Sequence, residues 1–216
     1  MNPEIKRIYY ENGRIKEKSY YLDGLLHRED RPASVFYNQN GSIEREIYYL
    51  NDQIHREDGP AYILYEDGKI QSEHYYLNGR HHRENGPAVT WYNNYPGDIE
   101  RFYYMINGKW HRKNGPAYIS YYDNGQLELI EYCMYHKYHR KDGPAYIEYY
   151  ENGNIKFEKY FINDKLHKQD GPAQIYYDEN GNIIEEAYFL HDRELDILEV
   201  MVILGLKMEG KCKSKN

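Results

Sequence analysis

His139-Arg-Lys-Asp-Gly-Pro-Ala-Tyr-Ile-Glu-Tyr-Tyr-Glu-Asn-Gly153 is one turn of a pattern that fills most of the chain. Its core, His-Arg-x-(Asp/Asn)-Gly-Pro-Ala, returns about every 28 residues, with histidines at His27, His55, His82, His111, His139 and His167. A period of that length means one supersecondary unit copied and stacked, because a single unit cannot bury its own apolar face. The spacing from the glycine before each histidine (Gly13, Gly41, Gly68, Gly97, Gly125, Gly153) to that histidine is always 14, and from histidine to proline (Pro32, Pro60, Pro87, Pro116, Pro144, Pro172) always 5. From proline to the next glycine it runs 9, 8, 10, 9, 9 and 9. Length changes are tolerated at exposed tips, so the tips are placed just before those glycines and the stacked body in the invariant stretch.

From proline to glycine the residues alternate with period two. Ala145, Ile147 and Tyr149 share one face, as do Ala61, Ile63, Tyr65 and Ala117, Ile119, Tyr121, which predicts a half-buried strand. Asn152-Gly153, Asn124-Gly125, Asp67-Gly68 and Asn40-Gly41 predict hairpin turns, since both residue types tolerate positive φ. A second strand follows, Ile155 to Ile162, built around Tyr20, Tyr48, Tyr75, Tyr104, Tyr132, Tyr160 and Tyr188. Ile155 and Tyr160 are five apart and would face opposite ways in an uninterrupted strand, which leaves a bulge between them open. Another turn, such as Asn163-Asp164 or Asn78-Gly79, leads into the next copy. Arg31 stands where other copies have glycine, and that position precedes a proline, so glycine there is expected to serve close approach rather than positive φ.

The expected fold is an all-β repeat: an elongated, single-layer antiparallel meander of tandem β-hairpins over residues 1–195, six full copies plus partial end units. About 13 strands at roughly 4.8 Å make a rod near 60 Å long. Leu195 replaces the histidine in the last copy. After it Ile197, Leu198, Met201 and Leu204 follow helical spacing, Asp196 and Glu199 form a capping box, and Gly205 ends the helix. Residues 196–206 are expected to cap the last hairpin, and residues 207–216 to form a basic, disordered tail.

Composition narrows the function. A mean hydropathy of -1.01 is too polar for a two-layer core, and the 28 tyrosines are the main packing material available. A net charge of -7 with basic residues spread through all copies argues against nucleic acid. Only Lys207, Lys211, Lys213 and Lys215 form a local basic cluster, a weak attraction for a membrane surface. The opening Met-Asn-Pro-Glu-Ile-Lys lacks the apolar core of a signal peptide, and the apolar run near residue 200 is too short to span a bilayer. Cys133 takes a packing position filled elsewhere by Tyr21, Tyr49, Tyr76, Met105, Phe161 and Phe189, while Cys212 lies in the tail; neither suggests a disulfide or metal motif. A soluble cytoplasmic protein is expected.

The periodic histidines invite a metal reading, but equivalent positions in consecutive hairpins lie roughly 10 Å apart, too far to share one ion. They are expected to be structural, bonding backbone groups of the connecting loop. His81 beside His82, with His74 in the preceding strand, is the one local cluster and at most a weak metal site. The arginines Arg28, Arg56, Arg83, Arg112 and Arg140, with Lys168 in the last copy, read either as an anion-binding ladder or as partners of the loop acids Glu29, Asp30, Glu57 and Asp58. The acid pairing is the expected one. No nucleophile elbow, phosphate loop or paired-carboxylate constellation is present. Neither an enzyme nor a cofactor is expected.

Tyr-Tyr-Glu-Asn-Gly and Tyr-Tyr-Leu-Asn-Gly-x-x-His, repeated with Gly-Pro-Ala between them, resemble the MORN repeat in its longer variant form over about residues 8 to 195. The version here is similar to repeat proteins abundant in large DNA viruses of protists and found in bacteria, so a host cytoplasm or a virion is the compartment if the chain is viral. The resemblance implies a scaffold for proteins or for membrane lipids, and some bacterial members are labelled antitoxins. A non-enzymatic protein-interaction scaffold is therefore expected. A peripheral lipid-binding module or an antitoxin-like binding protein is the alternative, and self-association is a further option. The candidate partner face is the strand face that varies between copies while keeping aromatics: Phe36, Tyr62, Leu64, Trp91, Tyr118, Tyr146 and Tyr176.

Overall fold

The computed structural model describes residues 3–93 and 98–205. The tip at Gly97, the tail at 207–216 and Cys212 lie outside them. The long strands form one antiparallel sheet in strict chain order: Pro3–Tyr9, Ile15–Leu22, Ser34–Tyr37, Ile43–Ile47, Tyr62–Glu66, Lys69–His74, Val89–Tyr92, Ile99–Tyr103, Tyr118–Tyr121, Leu127–Glu131, Tyr146–Tyr149, Ile155–Lys159, Gln174–Tyr177 and Ile183–Ala187. At about 4.8 Å per strand this meander is roughly 60 Å long.

Parity is reset by a bulge, and it recurs in every long hairpin. Glu148 pairs with Phe157 but Tyr149 pairs with Ile155, so Lys156 is the extra residue and Ile155, Glu158 and Tyr160 return to one face. The same shift falls just before Tyr9, Tyr37, Tyr65, Tyr92, Tyr121 and Tyr177.

Two details differ from the sequence reading. First, the long turns do not place asparagine at positive φ. At Asn12, Asn40, Asn124 and Asn152 the side-chain oxygen accepts the amide two residues on, at 2.9–3.0 Å, and only the glycine is left-handed. Asp67-Gly68 is the exception, with φ of 48° and 76°. It is the copy one residue shorter, and the deletion converts a bulged loop into a two-residue turn.

Second, the unit holds two hairpins, not one. The expected strand Ile155 to Ile162 breaks at Tyr160, and Phe161–Ile162 pairs with Lys165–Leu166 in a separate two-stranded ribbon. Equivalent ribbons follow at Tyr49–Leu50 with Gln53–Ile54, Tyr76–Leu77 with Arg80–His81, Met105–Ile106 with Lys109–Trp110, Cys133–Met134 with Lys137–Tyr138, and Phe189–Leu190 with Arg193–Glu194. Here both turn residues have positive φ, as at Asn51 and Asp52 or Asn163 and Asp164. The strain at the second position is offset where that residue is Asp, because its carboxylate accepts an amide of the preceding ribbon: Leu26 to Asp52 at 2.6 Å, Tyr138 to Asp164 at 2.6 Å, Leu166 to Asp192 at 2.7 Å.

The His-Arg-x-Asp-Gly-Pro connection folds back over the sheet by a repeated stack. Each guanidinium lies on the tyrosine ring that ends its own long hairpin: Arg28 on Tyr20, Arg56 on Tyr48, Arg83 on Tyr75, Arg112 on Tyr104 and Arg140 on Tyr132, at 3.8–4.1 Å from the ring centre, with Lys168 on Tyr160 at 3.9 Å. The opposite side of the guanidinium is closed by glycine. A Cβ on Gly59, Gly86 or Gly143 would sit 2.9 Å from the arginine Cζ, so close approach alone accounts for glycine at Gly59 and Gly143, whereas Gly86 and Gly115 also have positive φ, 151° and 129°. Loop acids do touch some arginines, Arg56 to Asp58 at 2.7 Å and Arg140 to Asp142 at 3.2 Å, but the carboxylates are largely in solvent and such pairs contribute little. The ring stack is common to every copy, whereas the expected acid pairing is present at Arg56 and Arg140 and adds to it there.

The helix forms as Ile197–Ile203 with Asp196 and Glu199 in a capping box. It buries none of its residues; Ile197, Leu198 and Leu204, expected to pack, are exposed, and the buried residue at this end is Leu195.

Gly143→Ala should lower stability by about 1 kcal/mol, as displacement of the guanidinium outweighs the gain from a stiffer unfolded chain. Gly171→Ala, whose Cβ would meet only the flexible Lys168 at 3.4 Å, should be neutral or mildly stabilising. Urea melts followed by circular dichroism compare them; equal shifts would show that the stacked cation does not set the glycine requirement.

Candidate partner-binding face

The periodic histidines act between units. Each His N–H bonds the carbonyl of its own unit's tyrosine, as His55 to Tyr48 at 3.1 Å, while the ring reaches the next unit's ribbon turn. Nδ1 of His27, His55 and His82 lies 2.8–3.0 Å from Oδ1 of Asn51, Asn78 and Asn107. The amides of Asn78, Asn107 and Asn163 donate to His55, His82 and His139 at 3.2 Å. The partner is thus the neighbouring unit's turn, not the histidine's own loop, because the ribbon absent from the sequence reading stands there. Where the turn residue is Tyr135 or His191 the ring stacks instead, on His111 at 4.0 Å and His167 at 4.1 Å, and Nδ1 of both histidines is left unpartnered. Among the described residues no cluster of three or more His, Cys, Asp or Glu could hold a metal. The prolines Pro32, Pro60, Pro87, Pro116 and Pro144 accept the arginine Nη1 at 3.2–3.5 Å through their carbonyls.

Strand register assigns the two faces. One carries Ala33, Ala61, Ala88, Ala117, Ala145 and Ala173, all fully buried, with Val35, Ile63, Ile147 and Ile175. The opposite face holds all seven candidate residues in two rows. Tyr62, Tyr118 and Tyr146 lie in one row, and Phe36, Leu64, Trp91 and Tyr176 in the other. Six are half-buried and Tyr176 is more exposed. Their rings join others from the adjacent strands and ribbons. Tyr62 and Trp91 flank His74 at 5.0 and 5.7 Å, Tyr118 meets Tyr103 at 4.7 Å and Trp110 at 5.8 Å, and Tyr176 stacks on Phe157 at 4.0 Å.

Polar groups interrupt this aromatic belt. Arg45 lies over Phe36 at 4.0 Å and Arg101 over Trp91 at 5.1 Å, each with Nε buried and unpartnered. Glu131 is 5% exposed; one carboxylate oxygen accepts the Tyr138 hydroxyl at 2.6 Å and the other has no partner. Burial raises its pKa and, with the Glu131 bond, that of the Tyr138 phenol. Beside it the Cys133 thiol, 2% exposed, is pushed up to about 12 by burial, which makes it an unreactive packing group. His74, bonded to His81 at 3.3 Å and to Ser72 at 3.1 Å, has its pKa lowered by burial to about 4. Glu131, His74, Tyr103 and Lys159 occupy equivalent places, opposite Tyr146, Tyr62, Tyr118 and Tyr146 respectively. The signal in the sequence was the variable residue one before the repeated tyrosine; only the bulge shows that it shares a face with the candidates.

Residues 5–23, 57–78, 145–163 and 173–191 each match the family model of the MORN repeat variant. The chain belongs to the MORN-repeat family. No curated protein matches it. MORN repeats are in general protein- or membrane-binding modules, and the matched segments here each take in a long hairpin and the start of the ribbon that follows it.

The His74 environment sets a pH dependence. Its ordinary value is 6.5 and its folded value about 4, so between these the unfolded chain binds more protons than the folded one. Stability is complete above about 6.5, falls as pH drops toward 4, and levels off below, a loss of about 3 kcal/mol. His74→Phe should flatten this segment of the curve of urea midpoint against pH; an unchanged slope would locate the titration elsewhere.

Proposed function

We propose that this MORN-repeat chain is a non-enzymatic, cytoplasmic scaffold that holds a protein partner across its aromatic face. The observation that carries this reading is the two-row arrangement itself. Half-exposed rings at Tyr62, Trp91, Tyr118, Tyr146 and Tyr176 share one face with the cations Arg45, Arg101 and Lys159. Aromatic and arginine side chains dominate binding hot spots because they bring large area at low entropic cost. An antitoxin-like role would be one instance of such protein binding. Tyr62→Ala and Trp91→Ala should each remove captured partners by at least about tenfold, a loss typical of a hot spot. Near-unchanged circular dichroism would confirm that the fold survives; undiminished capture by folded variants would retire this surface.

A second reading, attachment to a membrane surface, is favoured by the exposed apolar side chains of the terminal helix, Ile197, Leu198 and Val202, which precede Lys207, Lys211, Lys213 and Lys215 in the sequence. Among the described residues no helix is long and apolar enough to cross a membrane, so attachment would be peripheral. Co-sedimentation with phosphatidylserine vesicles should then be salt-sensitive and fall when residues 207–216 are removed. The negative net charge places this reading second.

A further inference from the structure

The two outermost strands of the sheet, Pro3–Tyr9 and Ile183–Ala187, each present a backbone edge that no other described strand pairs with. Within the array every joint between units has the same register. The second strand of one unit meets the first strand of the next, as Phe157 with Tyr176, Glu158 with Ile175 and Lys159 with Gln174. The outermost strands reproduce both halves of that joint. Lys6, Arg7 and Ile8 pair inward with Ser19, Lys18 and Glu17 as Tyr146, Ile147 and Glu148 pair with Lys159, Glu158 and Phe157. Glu185, Glu186 and Ala187 take the places of Phe157, Glu158 and Lys159.

We propose that a second copy of this chain docks on these edges, its Ile183–Ala187 strand pairing with Pro3–Tyr9 of the first to continue the sheet head to tail. The internal register puts Glu186 opposite Arg7, Ala187 opposite Lys6 and Glu185 opposite Ile8. The charges fit that arrangement and oppose the others. Arg7 already faces Lys18 across its own strand pair, an unfavourable like-charge rung that an incoming carboxylate relieves. Two amino-terminal edges would bring Lys6 and Arg7 against themselves, and two carboxy-terminal edges would do the same with Glu185 and Glu186. Charges commonly blunt an exposed edge; opposite signs at matched positions blunt it against its own kind only. The edges are apolar as well, with Ile8 52% and Ile184 67% exposed.

The side-chain links used inside the array agree with a joint restricted to the sheet. Leu195 stands in place of the histidine that would reach the next ribbon turn, and the amide of Asp196, whose equivalent at Lys168 bonds the next ribbon at 3.2 Å, is taken by Glu199 at 3.1 Å. Among the described residues no ribbon precedes the Pro3–Tyr9 strand to receive either link. A head-to-tail contact between identical chains leaves an edge free at each end of the dimer, so it adds further copies and grows as a filament unless its rotation closes a ring.

The test is sedimentation velocity of the full chain over a concentration series at low salt. The average mass should rise with concentration and fall with added salt. Arg7→Glu and Glu186→Arg should each weaken association about tenfold, and the double variant should recover to near the starting affinity. A concentration-independent monomer, or a double variant as weak as the singles, would overturn the proposal. Lys6→Cys with Ala187→Cys, in a Cys133→Ala, Cys212→Ala background, tests the register directly. The two sites are about 60 Å apart in one chain, so oxidation should yield a ladder of covalent oligomers; a monomer band alone would refute the pairing.

Discussion

A planar cation held between a phenol ring and a bare backbone governs this molecule. The guanidinium of Arg56 lies on Tyr48, its Nη1 donates to the Pro60 carbonyl at 3.3 Å, and Gly59 leaves no room for a Cβ on its other side. That single contact folds the connection down onto the sheet. It also fixes the arginine amide to bond the next ribbon, as Arg56 to the Tyr76 carbonyl at 3.1 Å, and aims the preceding histidine at the next ribbon's turn. The identities of tyrosine, histidine, arginine, glycine and proline in each copy are therefore one requirement. Arg31 shows its tolerance. Where a side chain replaces the glycine, Arg28 still covers Tyr20, but its bond to the Pro32 carbonyl stretches to 3.5 Å, the longest of the set.

A single sheet has no opposing layer, so each face must be covered by its own side chains. Rings long enough to lie along the sheet, with hydroxyls that reach a partner, achieve this at a mean hydropathy of -1.01. On the alanine face Tyr65, Tyr92 and Tyr177 donate to Glu46, Glu73 and Glu158 of the preceding unit at 2.8–3.0 Å. Near the loop tips Tyr10, Tyr122 and Tyr150 donate to the carbonyls of Tyr37, Tyr149 and Tyr177 at 2.7–2.8 Å. Packing and inter-unit bonding thus come from the same residues. Small residues complete the fit: fully buried alanines on one face, and buried Ser19, Ser34, Ser72 and Ser120 beneath the rings of the other.

Sequence periodicity revealed the meander, its strand faces and the location of its length changes, because strand parity and turn chemistry are local. It also exposed the parity conflict between Ile155 and Tyr160, which the bulge at Lys156 resolves. The ribbon was not legible, since Phe161–Ile162 and Lys165–Leu166 are two residues each, too short for any alternation. Missing the ribbon hid the histidine's partner in the next unit and the rings of Tyr76, Trp110 and Tyr138 that flank the candidate face. Glu131 and His74 were hidden for a different reason: their side of the sheet depends on counting through the bulge.

The division of labour between the faces is what makes the aromatic side suited to binding. Stacked arginines, histidine–turn links and the alanine face already join the units, so the other face is not needed to define the array. Its composition shows the freedom that results. Ser19, Ile47, His74, Tyr103, Glu131, Lys159 and Ala187 all fill one structural place, and they include both charges, an aromatic and small residues. A place that tolerates such variety is not selected for stacking. Some of its occupants are costly to the fold, as the unpartnered oxygen of Glu131 and the depressed pKa of His74 show. Under the proposed function, groups carried at such a cost on a half-exposed face are the ones a bound protein would touch.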